Sequence, residues 1–177
     1  MRFAPRKKLP HDVPEWVCPG SVFFVTICAL PRGADVLCRS EVASRLLEAV
    51  RAYQEREIWY ARLVVLMPDH LHALVAFPPD RRMRTVVAQW KSYTAKHANV
   101  RWQRDFFDHR LRGDESLEEK AAYLRNNPVR AGLVARIEEW PWVFEAETGI
   151  RKVAAGGTNV GPGGPYATRR DERANRG

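Results

Sequence analysis

Residues 63–77 read LVVLMPDHLHALVAF, two apolar runs joined through Met67-Pro68-Asp69. Pro-Asp is turn chemistry, because proline presets a turn-compatible φ and aspartate tolerates the bend that follows. The flanking runs are rich in β-branched and other apolar residues, the pattern of a hairpin with at least one buried face. The second run carries His70 and His72 with Leu71 between them. On a strand, residues i and i+2 share a face about 7 Å apart. The two imidazoles therefore point together while Leu71 packs into the core behind them. Spacing alone leaves two readings open: paired ligands of one divalent ion, or two histidines satisfied in the core or by solvent.

Outward from the hairpin the elements fall into order. Residues 21–30, SVFFVTICAL, read as a buried strand that Pro31-Arg32-Gly33 breaks. Residues 41–56 carry Val42, Leu46, Leu47, Val50 and Tyr53 at helical spacing, with Ser40 as the cap. The hairpin spans residues 59–66 and 70–77, and a second amphipathic helix over 85–99 places Val86, Val87, Trp90 and Thr94 on one side. The β-α-β-β-α order predicts an α+β fold, a split βαβ sandwich whose antiparallel sheet has helices on one face. Residues 102–107 are the expected last strand. A third helix starts near Ser116, where Ser-x-x-Glu to Glu119 is a capping box, and must end by residues 126–127 because Pro128 disfavours helical geometry before it. Trp140-Pro141-Trp142 is expected to pack back on the body. Three segments follow: a basic, proline-rich arm over 1–20, one folded domain over 21–153, and a glycine-rich basic tail over 154–177, expected to be disordered alone.

The net charge of +8 and the pI near 9.8 point to a polyanionic partner, nucleic acid first. The longest apolar stretch, residues 22–30, is too short to span a bilayer, and the basic N-terminus lacks the apolar core of a signal peptide. A membrane partner is not expected. Cys18, Cys28 and Cys38 are an odd set with no Cys-x-x-Cys pairing, which fits a reducing cytoplasm. Residues 81–104 contain Arg81, Arg82, Arg84, Lys91, Lys96, Arg101 and Arg104 without one acid, and Trp90, Tyr93 and Trp102 are interleaved. Positive charge with aromatic faces suits single-stranded nucleic acid, by phosphate neutralisation and base stacking. The alternative is a solvated helix face whose aromatics are core.

Tyr123 and Asn127 stand four apart, one turn along a helical face. A tyrosine hydroxyl attacks a phosphodiester when a metal polarises the phosphate, and an asparagine carbonyl oxygen is a suitable further ligand. The phenol, with a pKa near 10, also leaves more easily than an alkyl alcohol, so a phosphotyrosine link can be resealed. The competing reading makes Tyr123 a core aromatic beside Ala121, Ala122 and Leu124.

Pro-Asp-His-Leu-His over 68–72, WKSYTAK over 90–96, VRWQRDFFDHRLR over 100–112 and YLRNNPVRAGL over 123–133 occur in that order. Together they resemble REP-associated tyrosine transposases, single-copy relatives of the insertion-sequence single-tyrosine transposases in the wider His-hydrophobe-His nuclease group. The likeness runs from about residue 23 to 142. It implies a ferredoxin-like fold that cuts and rejoins single-stranded DNA beside palindromic hairpins, leaving a 5′-phosphotyrosine and a free 3′-hydroxyl. On this resemblance His70 and His72 match the metal-binding pair, Asn127 the third, amide-type ligand, and Tyr123 the nucleophile. The ion is Mg²⁺ or Mn²⁺, with Zn²⁺ left open by the imidazoles. Tyr93, the rival nucleophile, is read as packing or base stacking. His109 and Arg112 match a recurrent segment, which implies either contact with phosphate and support of the site or a purely structural role. Asp69 stands where relatives often carry Asn or Glu.

The resemblance also implies a monomer rather than a homodimer, working on chromosomal DNA in the cytoplasm. Two rivals stand beside this reading. One is a non-catalytic hairpin-binding module derived from a transposase, and the other is a metal-dependent phosphodiesterase that uses water.

Overall fold

The computed structural model describes residues 20–112 and 116–146. Five strands form one antiparallel sheet: β1 (Val22–Cys28), β2 (Tyr60–Met67), β3 (His70–Ala76), β4 (Phe107–Arg110) and β5 (Val143–Glu145). Their order across the sheet is β4-β1-β3-β2-β5. The helices are α1 (Ser40–Glu55), α2 (Met83–His97), α3 (Leu117–Arg125) and the short α4 (Asn127–Arg130). The α+β sandwich is the one expected, with β1 inside the sheet, paired to both β3 and β4.

Alternation along β1 and β3 gives the sheet two different faces. Phe23, Val25 and Ile27 of β1 and Leu71, Ala73 and Val75 of β3 meet the apolar stripes of α1 (Ala43, Leu46, Leu47, Val50) and α2 (Met83, Val86, Val87, Trp90). This is the main core, with both sandwich helices on one face. The other set of side chains, Leu63, Val65, Met67 and Leu74, meets Ala121 and Leu124 of α3. The third helix thus covers the opposite face, the one that carries the histidines.

Several boundaries differ from the sequence reading for identifiable reasons. The last strand of the sandwich is residues 107–110, and of the expected 102–107 strand the part before Phe107 contributes only a bridge from Trp102 to Ala29. α1 begins at Ser40 itself, with Arg39 at the cap position and no side-chain cap. The Trp140-Pro141-Trp142 segment does return to the body: the Trp140 indole donates to the Leu66 carbonyl at 2.9 Å, and the Leu66 amide donates to the Trp142 carbonyl at 2.9 Å. That return delivers β5 to the free edge of β2, a strand the sequence reading did not include. The proposed arm, apart from Gly20, and the glycine-rich tail lie outside the described residues.

Candidate active site

The site starts from strand register. Thr26, His72 and Val65 lie opposite one another across β1, β3 and β2, and Cys28, His70 and Met67 form the neighbouring row. Leu71, between the histidines, is buried on the other side, as the spacing required. The two Nε2 atoms face each other at 3.2 Å, with the rings almost perpendicular at 78°.

Each imidazole is held from behind. His72 Nδ1 is 2.9 Å from the Thr26 hydroxyl, and Phe24 stacks against the ring with centroids 5.3 Å apart. His70 Nδ1 is 2.7 Å from Asp69 Oδ1. An ionised carboxylate only accepts, so His70 Nδ1 donates to Asp69 and the ring is oriented with Nε2 toward His72. Asp69 is itself fixed: the Gly33 amide donates to Oδ2 at 2.6 Å, and the Arg32 guanidinium lies 3.2 Å from Oδ1. Partial burial works to raise the Asp69 pKa. The bonds from Gly33 and His70 and the Arg32 charge outweigh it and hold the carboxyl below its usual range. Burial, reinforced by the neighbouring His70, pushes His72 down to about 4, so it is a neutral base at physiological pH. The sequence reading missed Thr26, Phe24, Arg32 and Gly33. The Pro31-Arg32-Gly33 break was legible only as a strand terminator, whereas its glycine, with φ +78°, also turns an amide toward Asp69.

These residues fit a divalent ion. Two ligands about 2.1 Å from one metal, at angles of roughly 90–110°, stand about 3.0–3.4 Å apart, and the Nε2 separation falls in that range. Two unprotonated nitrogens at this distance repel one another unless a proton or cation lies between them. No group of three or more His, Cys, Asp and Glu side chains gathers as a cage among the described residues.

α3, the helix that bears Tyr123, packs on this face. Ser116 Oγ accepts from the Glu119 amide at 3.2 Å, the cap read from the sequence. Ala121 and Leu124 seat the helix on β2 and β3, and Arg125 pairs with Glu145 of β5. Tyr123 stands on the flank of α3, 49% exposed rather than in the core, with the Arg130 guanidinium 4.7 Å from its ring centroid. Asn127 does not lie on α3, as its spacing had suggested. The helix ends at Arg125, and Asn127 opens α4, where Pro128 has no amide to continue the α3 ladder. Asn127 is half-buried there.

Tyr93 is on α2, behind the sheet from the histidines, with its ring 4.3 Å from that of His97. His109 lies opposite Phe24 on the histidine face, one row from His72, and Arg112 follows the strand, exposed.

The basic run divides. Arg81, Arg82, Arg84, Lys96, Arg101 and Arg104 are exposed. Lys91 is half-buried, its ammonium donating to the carbonyls of Gln103 at 2.6 Å and Arg104 at 2.8 Å. Burial lowers its pKa, against the opposing pull of Asp105 and Cys28. Trp90 is a correction: it is 0% exposed, packed between Trp59 and Trp102, and has no surface on which a base can stack. Its place in the 83–86–87–90–94 stripe, at helical spacing, marks it as core.

Among the described residues no helix is long and apolar enough to cross a membrane. A sequence profile of the family described as "Transposase IS200 like" matches residues 27–127, more than half of the chain and inclusive of both histidines, Tyr123 and Asn127. The chain belongs to the IS200-like transposase family. Within that family it is similar to a "Putative REP-associated tyrosine transposase" of Haemophilus influenzae, 23% identical over 140 residues that span 70% of this chain and 78% of that one. It is 28% identical over 83 residues to a REP-associated tyrosine transposase of Escherichia coli, covering 44% of this chain and 49% of that one. The fold matches a solved REP-associated tyrosine transposase bound to a REP hairpin, with a TM-score of 0.62 and 20% identity over 75% of this chain and 81% of the other. The resemblance read from the four ordered motifs is borne out by these matches.

Proposed function

We propose that this IS200-like transposase cuts and rejoins single-stranded DNA beside palindromic hairpins, with Tyr123 as nucleophile. The observation that carries the reading is the convergence of the His70 and His72 Nε2 atoms on the sheet face that α3, the tyrosine's helix, covers. The transposase names of its relatives, and the hairpin bound by the solved one, support DNA as the partner.

In the proposed reaction the Tyr123 oxygen attacks the scissile phosphorus. The phosphorus–O3′ bond breaks, leaving a 5′-phosphotyrosine. The phenol's proton passes to solvent and the departing 3′ oxygen takes one up, so a free 3′-hydroxyl results. In the return step that hydroxyl attacks the phosphotyrosine and the phenol leaves, which its pKa near 10 favours over an alkyl alcohol. His70, His72 and Asn127 would hold Mg²⁺ or Mn²⁺, which when bound offsets charge building on the phosphate oxygens. Asp69 accepts from His70 Nδ1 and so orients that ring with Nε2 toward His72, and the Thr26 hydroxyl fixes the orientation of the His72 ring. His109, on the same face, and Arg112, just beyond β4, are proposed to touch the backbone phosphates, and the exposed Arg81, Arg82 and Arg84 at the start of α2 to steer the DNA.

The test is incubation with single-stranded genomic-repeat hairpin oligonucleotides and Mn²⁺, read on a denaturing gel. A covalent protein–DNA band that EDTA prevents and Tyr123→Phe abolishes is the expected result. Tight binding without a band, on cognate repeats, would establish the non-catalytic binding module instead; free cleavage products with no band would establish the water-using phosphodiesterase.

A further inference from the structure

A groove of about 580 Å³ runs between the C-terminal half of α2 and residues 99–104, apart from the histidine pair. Its apolar wall includes Leu30, Ala95 and Trp102, and its polar wall includes Ser92, Arg101 and Arg104. No carboxylate among the described residues lines it, although the Asp105 charge acts on Lys91. Lys91 braces the groove from within, its ammonium tying α2 to the carbonyls of Gln103 and Arg104. Trp102 is fixed by its indole bond to Thr94 Oγ1 at 2.9 Å and by Trp90 behind it. A preformed apolar wall beside two free-standing arginines is the combination that takes a base and its phosphates together.

The groove's position in the sheet matters as much as its lining. The Gln103 amide donates to the Cys28 carbonyl on one side of β1, and His70 pairs with Cys28 on the other. Gln103 and His70 are therefore separated by two strand spacings, about 10 Å. A single strand leaving the groove reaches the histidines by turning around this end of the sheet, past the half-exposed Arg32.

We propose that the groove seats an unpaired nucleotide of the strand flanking the hairpin, with the base on the Trp102–Ala95 wall and the phosphates on Arg101 and Arg104. This rests on the DNA reading above. The test uses the full chain in EDTA, so that no cleavage intervenes, and fluorescence anisotropy on two probes: a blunt synthetic stem-loop, and the same stem-loop with short oligothymidine flanks. Ala95→Trp fills the groove from an exposed helix position, and Arg101→Gln with Arg104→Gln removes the charges. Each variant is expected to weaken the flanked DNA by about tenfold or more, the scale of a lost stacking contact, and to leave the blunt stem-loop within about twofold. The arginine pair should also flatten the salt dependence for flanked DNA by about 1.4 in log–log slope. The proposal fails if either variant binds flanked DNA as the wild type does, or if both probes lose affinity equally. Binding in EDTA is independent of adduct formation, so loss of the Tyr123 assignment and loss of the groove show up separately.

Discussion

Thr26 on β1 and His72 on β3 occupy one cross-strand register position, and the threonine hydroxyl stands 2.9 Å from the imidazole Nδ1. The contact leaves the opposite ring nitrogen as the one that faces His70. Thr26→Val keeps the branched shape of the side chain and deletes the hydroxyl. Because such outer-shell partners set ligand orientation, the variant should bind Mn²⁺ about 10- to 100-fold more weakly with little change in thermal unfolding. Isothermal titration with Mn²⁺ checks this, and unchanged affinity would remove Thr26 from the site.

Acid should destabilise the metal-free fold through His72. Its folded pKa is about 4 against 6.5 for an ordinary imidazole. Between those values the unfolded chain binds a proton that the native state does not. Stability is therefore fully present above about pH 6.5 and falls as the pH drops toward 4, by at most about 3 kcal/mol. Below that range Asp69, whose pKa is depressed by its bonds, extends the loss in the same direction. Urea unfolding in EDTA at pH 7 and pH 5 should show a smaller pH difference for His72→Gln than for the wild type.

Trp90→Phe should leave DNA affinity unchanged, because the side chain is entirely enclosed. Its indole N–H has no partner among the described residues. Removing that group offsets part of the packing lost, so the expected cost in unfolding free energy is about 1–2 kcal/mol. Selective loss of DNA binding in a folded Trp90→Phe protein would return the residue to the binding surface.

Leu124 fastens the tyrosine's helix to the sheet and is wholly buried. Leu124→Ala should cost about 2–5 kcal/mol by chemical denaturation. Arg125→Ala, which breaks only the exposed pair with Glu145, should cost less than about 1 kcal/mol.

The sandwich was legible because its signals are local: apolar, β-branched runs in residues 21–30 and 63–77 that read as strands with a two-residue side-chain period, and i, i+3, i+4 stripes in 41–56 and 85–99. The shared face of His70 and His72 followed from the same period. What the sequence left hidden depends on contacts between distant segments. Arg32 and Gly33 meet Asp69 only because β1 ends beside the β2–β3 turn, where the Ala29 amide donates to the Asp69 carbonyl. β5 is three residues long, too short for a strand pattern, and exists because β2 had a free edge. The role of α3 in covering the histidine face was also out of reach, since its four-residue spacing says nothing about which side of the sheet it takes. For Trp90 two sequence signals conflicted, a basic aromatic run and an apolar stripe, and burial of the indole decided for the stripe.

The most direct test of the account is to map the residue that becomes linked to DNA. After reaction with a single-stranded repeat hairpin and Mn²⁺, protease digestion and mass spectrometry should find the nucleotide on the peptide bearing Tyr123, joined through a 5′-phosphate. Linkage through Tyr93, on the helix behind the sheet, would contradict the assignment of site and face together.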